Sequence, residues 1–269
     1  MLRHVHTNRH RWIRCPEFNI SAGWLVFYFL MICIFFTASL IGLSIFLQPQ
    51  FAVNFLASKF PKVLFSVETD EKIIALTIDD SPSANTERIL EILAAHNSRA
   101  TFFILGSRID GREHILQSML RAKHELGNHL VNDQPSIDLG EEEFRKQLMS
   151  VEKRLERFRD RPRQIASSRW FRPGSAYFNA KMLNNLDDLG FQLVLGNVYP
   201  SDPQLPYPAL IKAHIIARAR PGAIIVLHDL KTTADALDDI LTELVDNRGY
   251  KVVTLSELTA NETTSEVTF

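Results

Sequence analysis

Apolar residues first dominate one long uninterrupted stretch near the start of the chain. Residues 18–58 contain no charged side chain, and residues 23–47 are almost wholly apolar. A stretch of this kind is typical of a helix that crosses a lipid bilayer. A buried helix of a soluble domain and a cleavable signal peptide are the alternatives. A signal peptide fits less well, because the apolar run exceeds the usual signal core and no convincing small-residue cleavage site follows it.

The pattern changes after residue 70 to short apolar runs that alternate with amphipathic segments. The clearest amphipathic segment is 141–158, whose apolar residues fall on one helical face. The predicted strands are 73–78, 100–105, 125–129, 170–171, 191–195, 223–228 and 250–254, and the predicted helices are 86–96, 112–123, 141–158, 179–189, 208–219 and 234–246. This alternation predicts a parallel sheet covered by helices, either open or closed into a barrel.

Charge on the two sides of the apolar stretch differs. The preceding segment carries four arginines against one acid, whereas the following segment, up to residue 67, carries only two lysines. The positive-inside rule then places the N-terminus in the cytoplasm and the main domain across the membrane. We therefore predict a cytoplasmic basic tail (1–22), a transmembrane helix (23–47), a stem (48–69), a globular domain (70–258) and a disordered tail (259–269).

Net charge and cysteine content exclude some classes of function and of metal site. The formal net charge is −1, which gives no electrostatic footprint for binding nucleic acid. The only cysteines, Cys15 and Cys33, precede the globular domain. That domain therefore has neither a disulfide nor a thiolate metal site. The oligomeric state stays open.

Polar residues cluster directly after the predicted strands. Asp79 and Asp80 end the first strand of the domain, and similar residues follow later strands: His129, Arg172, Asp202 and His228. In parallel β/α folds this edge of the sheet is where sites are built. Two adjacent carboxylates also need a cation or hydrogen bonds to offset their repulsion and desolvation. Taken alone, the pair fits an acidic turn that caps a helix equally well.

Five short motifs occur in order along the domain: Thr77-Ile78-Asp79-Asp80-Ser81-Pro82, Gly127-Asn128-His129-Leu130-Val131-Asn132-Asp133, Arg169-Trp170-Phe171-Arg172-Pro173-Gly174-Ser175, Val198-Tyr199-Pro200-Ser201-Asp202-Pro203 and Val226-Leu227-His228-Asp229. Together they resemble the polysaccharide deacetylases, the NodB-homology family or carbohydrate esterase family 4, over about residues 71–258. The resemblance implies an α/β fold, a distorted (β/α) barrel. It also implies a metal-dependent hydrolase that removes N-acetyl groups from polysaccharides containing N-acetylglucosamine, such as chitin or peptidoglycan, and releases acetate.

The first two motifs carry the residues that the resemblance assigns to the base and the metal. Asp79 corresponds to the catalytic base, and Asp80 and His129 correspond to metal ligands. Asp133 stands where the family has a second histidine, and a carboxylate oxygen is an acceptable zinc donor. The expected cofactor is a divalent metal, with zinc the first expectation and manganese or cobalt as alternatives. The additional carboxylate favours harder ions such as manganese.

The third and fifth motifs supply the expected partners in catalysis. Arg172 corresponds to the arginine that holds the base. The backbone N–H near Ser175 corresponds to the oxyanion donor of the family. His228 corresponds to the general acid, and Asp202 of the fourth motif is expected to orient it. Asp229 is expected to cap the next turn.

Besides Asp133, two further positions depart from the family pattern. Pro203 replaces the usual tryptophan, which leaves Tyr199 as the candidate for that wall of the substrate groove. Ser81 replaces the usual glycine. If that position requires a positive φ, the serine is strained there.

Three other functions compete with polysaccharide deacetylation: hydrolysis of another amide on the same fold, sugar binding without catalysis, and interaction through an anchored but inactive domain. The departures Ser81, Asp133 and Pro203 keep the second one open. A binder, however, does not need both a base and an acid. The expected partners are an N-acetylated polysaccharide and a membrane crossed by a single helix, with no nucleic acid.

Overall fold

The computed structural model describes residues 22–47, 49–159 and 169–265. The predicted basic tail, up to residue 21, and the last four residues of the predicted polar tail lie outside the described residues. The chain divides into two units between Ile45 and Phe46.

The first unit contains helix α1 (Ala22–Leu47), which covers the predicted transmembrane stretch. Its section Ala22–Gly42 is exposed along its whole length and is long and apolar enough to cross a membrane. The residues of the helix are apolar on every face, as in a helix surrounded by lipid rather than one lying on a domain. By length and composition, α1 is therefore a candidate membrane anchor or signal.

The second unit alternates strands and helices. Its strands are β1 (Val63–Leu64), β2 (Ile73–Ser81), β3 (Ala100–Ile104), β4 (Glu125–Asn128), β5 (Arg169–Phe171), β6 (Phe191–Val194), β7 (Ile224–His228) and β8 (Lys251–Val253). Its helices are α2 (Gln50–Lys59), α3 (Thr86–Ala95), α4 (Glu113–Arg121), α5 (Glu141–Leu155), α6 (Ala180–Asp188), α7 (Pro208–Arg218), α8 (Lys231–Leu241), continued by a π-helical turn (Thr242–Asn247), and α9 (Leu255–Ser265). Every strand and helix predicted between residues 70 and 258 is present.

The strands form one curled parallel sheet in the order β1-β6-β5-β4-β3-β2-β7, with β8 beside the first half of β2. Isolated bridges from Ser66 to Ala223 and from Val198 to Ile225 join the β1–β6 edge to β7. Gly222 permits the first approach, because its φ of +74° lies in the region that favours glycine and a Cβ there would lie 1.8 Å from the Val67 carbonyl oxygen. The fold is the distorted (β/α) barrel that the family resemblance implies.

Strand β2 pairs with three strands, β3, β7 and β8, and all of its residues are buried. Alternate side chains enter different parts of the core, because successive residues of a strand face opposite sides. Ile74, Leu76 and Ile78 pack into the large core, whereas Ile73 and Ala75 pack into a separate cluster. Covering on both sides explains the continuous apolar run in the sequence. It also fixes the position of the two carboxylates at the end of the strand.

The structure differs from the predicted boundaries at both ends of the domain. In the predicted stem, α2 buries Val53, and β1 pairs with β6 and buries Val63. At the other end, α9 continues to Ser265, although a disordered tail is predicted from residue 259. Both segments are short, and short elements obtain their stability from tertiary packing that sequence periodicity does not report.

Candidate functional site

The polar residues of the motifs meet at the carboxyl ends of the parallel strands. Asp79 near the end of β2 is in register with His228 at the end of β7. His129 directly follows β4, and Arg172 directly follows β5. Because these strands are parallel, their carboxyl ends share one edge of the sheet. The fold thus brings together residues that are far apart in the sequence.

Asp79 is buried and held by Arg172. Nη1 of Arg172 donates to Asp79 Oδ1 at 2.7 Å and to Thr77 Oγ1 at 2.7 Å, and its Nε donates to the Val194 carbonyl oxygen at 3.1 Å. The guanidinium also lies over the Phe103 ring, 4.2 Å from its centroid. Burial lowers the pKa of Arg172, and the charge of Asp79 opposes that change. These contacts fix the arginine, which in turn orients the carboxylate.

His129 has one ring nitrogen committed to the backbone. Its Nδ1 lies 2.7 Å from the carbonyl oxygen of Arg172, which can only accept a hydrogen bond. Nδ1 therefore carries a proton, and the neutral ring presents the lone pair of Nε2 on its other side. Nε2 lies 3.5 Å from Asp80 Oδ1. Metal-ligating histidines are commonly oriented by such a bond from the other ring nitrogen.

The ring of His129 also responds to the acids around it. Burial opposes its charged form, but the contact with Asp80 and the charges of Asp79 and Asp80 raise the pKa of His129. Burial also opposes ionisation of Asp80, yet its contact with His129 leaves the pKa of this carboxyl below its usual value. The acids around His129 therefore favour a positive charge at this position, as a cation site requires.

Asp80, His129 and Asp133 form a candidate metal centre. One ligand atom from each residue lies within 4.8 Å of the others, and Asp133 is the exposed member. Asp80 Oδ1 is buried and accepts no hydrogen bond from the described residues. Its contact with His129 Nε2, at 3.5 Å, is too long for a good hydrogen bond, and a buried carboxylate oxygen without one is costly unless a cation compensates it. Two carboxylates and an imidazole are donors that bind zinc or a harder divalent ion, so these residues fit a divalent metal.

Asp202 and His228 form a second hydrogen-bonded pair at this edge. Asp202 is fully buried and lies 3.0 Å from His228 Nδ1. It also accepts from the His228 backbone N–H at 2.8 Å and from Thr233 Oγ1 at 2.9 Å. Burial disfavours the imidazolium, but the bond to Asp202 and the nearby acids outweigh it and raise the pKa of His228 to about 9. The imidazole is therefore protonated at neutral pH, as a general acid must be.

Tyr199 lies beside this pair. Its ring is tilted against that of His228 with centroids 5.9 Å apart, and its hydroxyl donates to Gln204 Oε1 at 3.0 Å. Burial, reinforced by the charge of Asp202, raises the pKa of Tyr199 to about 12. The structure therefore places an uncharged aromatic ring next to the candidate acid, where the sequence predicts a wall of the groove.

Ser175 is exposed and has a left-handed backbone with φ of 61°. The amides on either side of it are engaged, one by Ser136 Oγ at 2.8 Å and the other by the Pro173 carbonyl oxygen at 3.2 Å. Ser175 thus remains the candidate oxyanion donor of this loop. The preceding Gly174 has no room for a side chain, because a Cβ would lie 2.1 Å from the Gln134 carbonyl oxygen. The loop of the third motif therefore packs directly on the loop that carries the second motif.

Left-handed backbone at residues other than glycine is concentrated in the motif loops. Five of the seven described examples lie there: Asp80, Leu130, Ser175, Ala176 and Ser201. Such conformations cost on the order of 1–3 kcal/mol each and cluster at functional sites. The condition for strain at Ser81 is not met, because the positive φ belongs to its neighbour Asp80 instead.

Asp229 has a role that the sequence analysis does not identify. Its carboxylate is buried and accepts hydrogen bonds from Ser81 Oγ at 3.1 Å, from Ser83 Oγ at 2.7 Å and from Thr86 Oγ1. The residue thus fastens the loop after β2 to the end of β7, rather than capping the next turn as expected. Its position directly after His228 is the only sequence signal that points to the site.

Arg108 is a further residue that the sequence analysis misses. It lies just after β3, and its Nη1 donates to the backbone carbonyl oxygen of Asp80. This bond supports Asp80 where its backbone is left-handed. Because Arg108 belongs to none of the five motifs, no sequence signal separates it from an ordinary surface arginine.

Known proteins resemble this chain over the same region. The family model for polysaccharide deacetylases matches residues 66–194. A peptidoglycan-N-acetylglucosamine deacetylase of Bacillus cereus is 32% identical over 203 residues, which are 73% of this chain and 92% of that protein. The peptidoglycan-N-acetylmuramic acid deacetylase PdaC of Bacillus subtilis is 32% identical over 196 residues, and the match covers 72% of this chain but only 40% of PdaC.

A solved structure shares the fold. The crystal structure of a CE4 family pseudoenzyme from Bacillus anthracis superposes with a TM-score of 0.66 at 28% identity, over 73% of this chain and 68% of that one. Its similarity agrees with the curled parallel sheet described above. Because the Bacillus cereus relative is 32% identical and is covered over 92% of its length, this chain belongs to the polysaccharide deacetylase family.

Proposed function

We propose that this chain is a metal-dependent N-deacetylase that acts on polysaccharide containing N-acetylglucosamine and releases acetate. The observation that carries the proposal is the placement of a buried carboxylate and an imidazole, each held by a partner of opposite charge character, in register on neighbouring strands. Asp79 is held by Arg172 at 2.7 Å, and His228 is held by Asp202 at 3.0 Å. The names of the Bacillus cereus and Bacillus subtilis relatives support peptidoglycan as the substrate class.

Asp80, His129 and Asp133 are the residues that would hold the divalent metal, with zinc as the expected ion. When bound there, a divalent cation supplies Lewis acidity toward the amide carbonyl and toward water. The protein prepares this centre by fixing the tautomer of His129 through the Arg172 carbonyl. Asp80 contributes a buried oxygen that makes no other described hydrogen bond.

The side chains around this centre divide the proton transfers between them. Asp79 takes a proton from the water that adds to the acetyl carbon. The backbone amide of Ser175 donates to the acetyl oxygen as that oxygen gains negative charge. His228 gives a proton to the leaving nitrogen as the C–N bond breaks, while Asp202 keeps the other ring nitrogen protonated. The products are acetate and a free amino sugar.

Sugar binding without catalysis is the second candidate function. The similarity to a CE4 family pseudoenzyme favours it, as do the substitutions at Asp133 and Pro203. A binding domain, however, gains nothing from burying a base against Arg172 and an acid against Asp202. Burial of each charged pair carries a desolvation penalty, and a contribution to stability alone does not explain why both pairs are buried here.

We also propose that α1 anchors the domain to a membrane, with the N-terminus in the cytoplasm and the site on the other side. The apolar, exposed section Ala22–Gly42 and the four preceding arginines support this orientation. Anchoring outside the cytoplasm would give the domain access to cell-wall polysaccharide.

Acetate release from N-acetylglucosamine oligomers by the purified full-length chain tests the proposal, in parallel with zinc, manganese and cobalt. Arg121→Ala, an exposed change on α4, serves as the matched control and should retain full activity. Release of acetate would support the deacetylase. Binding of the oligomer without release of acetate, in the presence of each of the three metals, would favour the sugar-binding domain.

A second measurement addresses the unusual ligand Asp133. Its replacement by alanine should weaken metal binding at least about tenfold, equivalent to about 1.4 kcal/mol. Its replacement by histidine should retain binding and shift preference toward zinc over manganese, because imidazole is the softer donor. Unchanged metal affinity in Asp133→Ala would remove this residue from the ligand set.

A further inference from the structure

Helix α2 exposes its largest apolar side chains on the face opposite its contact with the domain. Val53 faces the core and is 8% exposed, whereas Phe51 and Phe55 are 74% and 60% exposed. Residues four apart lie on the same side of a helix, so the two phenylalanines form one stripe. Leu56, 42% exposed, extends the apolar surface. Adjacent exposed apolar side chains indicate a surface that contacts a partner.

The charge around this stripe is of one sign. Residues 18–67 contain no acid, and Lys59 is the only charged residue of α2. The Lys59 ammonium lies over the Phe55 ring, 5.7 Å from its centroid. Aromatic residues beside a lysine, without acids, are typical of helices that lie in the interface of a membrane.

Helix α2 is packed on the domain and is not a free tether. Val53 belongs to the same core cluster as Phe171, the residue directly before Arg172. At the end of the helix, the rings of Phe60 and Phe178 meet edge to face with centroids 5.0 Å apart. Because α2 is fixed to the domain, any external surface that α2 binds also determines the position of the candidate site.

Chain continuity restricts what α2 can contact. Helix α1 ends at Leu47 and α2 begins at Gln50. A linker this short spans at most about 10 Å even when fully extended. The interfacial layer on each side of a bilayer is roughly 5–8 Å thick. If α1 spans the membrane, the start of α2 therefore lies within the membrane interface or no more than a few ångström beyond it.

We propose that Phe51, Phe55, Leu56 and Lys59 form a membrane-docking face that inserts into the interface of the bilayer crossed by α1. This inference rests on the membrane anchor of the proposed function and adds a second, surface contact to it. Docking through α2 holds the domain against the membrane, so the site acts on polysaccharide close to the membrane surface rather than at the full reach of a flexible stem.

Spin labelling of the full-length chain in phosphatidylethanolamine–phosphatidylglycerol vesicles tests this face. A single cysteine replaces Phe55 in a chain that also carries Cys15→Ser and Cys33→Ser. Power-saturation measurements compare the collisions of the label with oxygen, which partitions into lipid, and with a water-soluble nickel chelate. Ile34→Cys in α1 reports on the anchor, and Gln117→Cys, exposed on α4, is the water-facing control.

The expected result is an oxygen-to-nickel collision ratio at position 55 that is well above that at position 117 and between that value and the ratio at position 34. A ratio at 55 equal to that at 117, with 34 in lipid, would overturn docking and leave the anchor intact. Water-like ratios at both 55 and 34 would overturn the anchor and the docking together. Dipolar broadening between labels at 55 would show that a second copy covers the face, which would also overturn the proposal.

Discussion

The backbone carbonyl oxygen of Arg172 accepts a hydrogen bond from His129 Nδ1 at 2.7 Å, while its guanidinium holds Asp79 at 2.7 Å. One residue thus orients both a candidate metal ligand and the candidate base. The first bond uses the backbone and the second uses the side chain. A substitution at Arg172 should therefore release Asp79 and leave the His129 ring in place.

Arg172→Met should destabilise the fold by about 3–5 kcal/mol, because it leaves the buried carboxylate of Asp79 without its partner. Adding Asp79→Asn removes that charge and should restore part of the lost stability. The free energy of unfolding of the detergent-solubilised chain measures both effects. A single variant as stable as the original chain would contradict the account of this pair.

The imidazole of His228 should titrate with a pKa of about 9 in the metal-free chain, as followed by NMR. Asp202→Asn removes the negative partner, so the pKa should fall toward the ordinary value of about 6.5. Since the general acid must be protonated, deacetylation should decline as pH rises through the pKa of His228. The decline should begin at lower pH in Asp202→Asn, and identical alkaline limbs would argue against His228 as the acid.

Arg108→Ala should weaken metal binding by about 10- to 100-fold, the usual effect of losing a residue that supports a ligand. The reason is the bond from Arg108 to the Asp80 carbonyl, which supports the left-handed backbone of that ligand. Calorimetric titration with zinc measures the affinity. Arg121→Ala removes an exposed arginine of α4 and should have no effect. Equal affinities in the two variants would exclude a positioning role for Arg108.

Ser81→Gly should destabilise the chain by about 1–2 kcal/mol, although glycine is the residue of the family motif. The serine hydroxyl donates to Asp229, and Ser81 is not among the described residues with positive φ. Glycine would lose the hydrogen bond and relieve no strain. Thermal denaturation provides the comparison, and a more stable glycine variant would show that the serine is strained after all.

The sequence predicts those parts of the fold whose burial follows a regular period. Strand β2 is buried throughout and appears as a continuous apolar run, and α5 buries Phe144 and Leu148 on one face. The sequence does not predict that Glu152 of α5 is buried, because its charge is compensated by Arg159, which lies outside the helix. Helix α2 is missed for a related reason, since its largest apolar residues face outward.

The residues of the candidate site also divide into those that the sequence predicts and those that it does not. The motif residues can be found because they stand at strand ends, where the order of the chain alone predicts that they meet. Arg108 and Asp229 act on residues far away in the sequence, through a backbone carbonyl and a set of hydroxyls. Such contacts depend on the packed loops and leave no pattern along the chain.

We propose that the adjacent carboxylates have different roles, Asp79 as base and Asp80 as metal ligand. Zinc binding and acetate release, measured on the same preparations of Asp79→Asn and Asp80→Asn, test it most directly. Asp79→Asn should keep its affinity for zinc and lose acetate release by about 10²–10⁴-fold, whereas Asp80→Asn should lose both. Full acetate release by Asp79→Asn, or undiminished zinc binding by Asp80→Asn, would contradict this assignment.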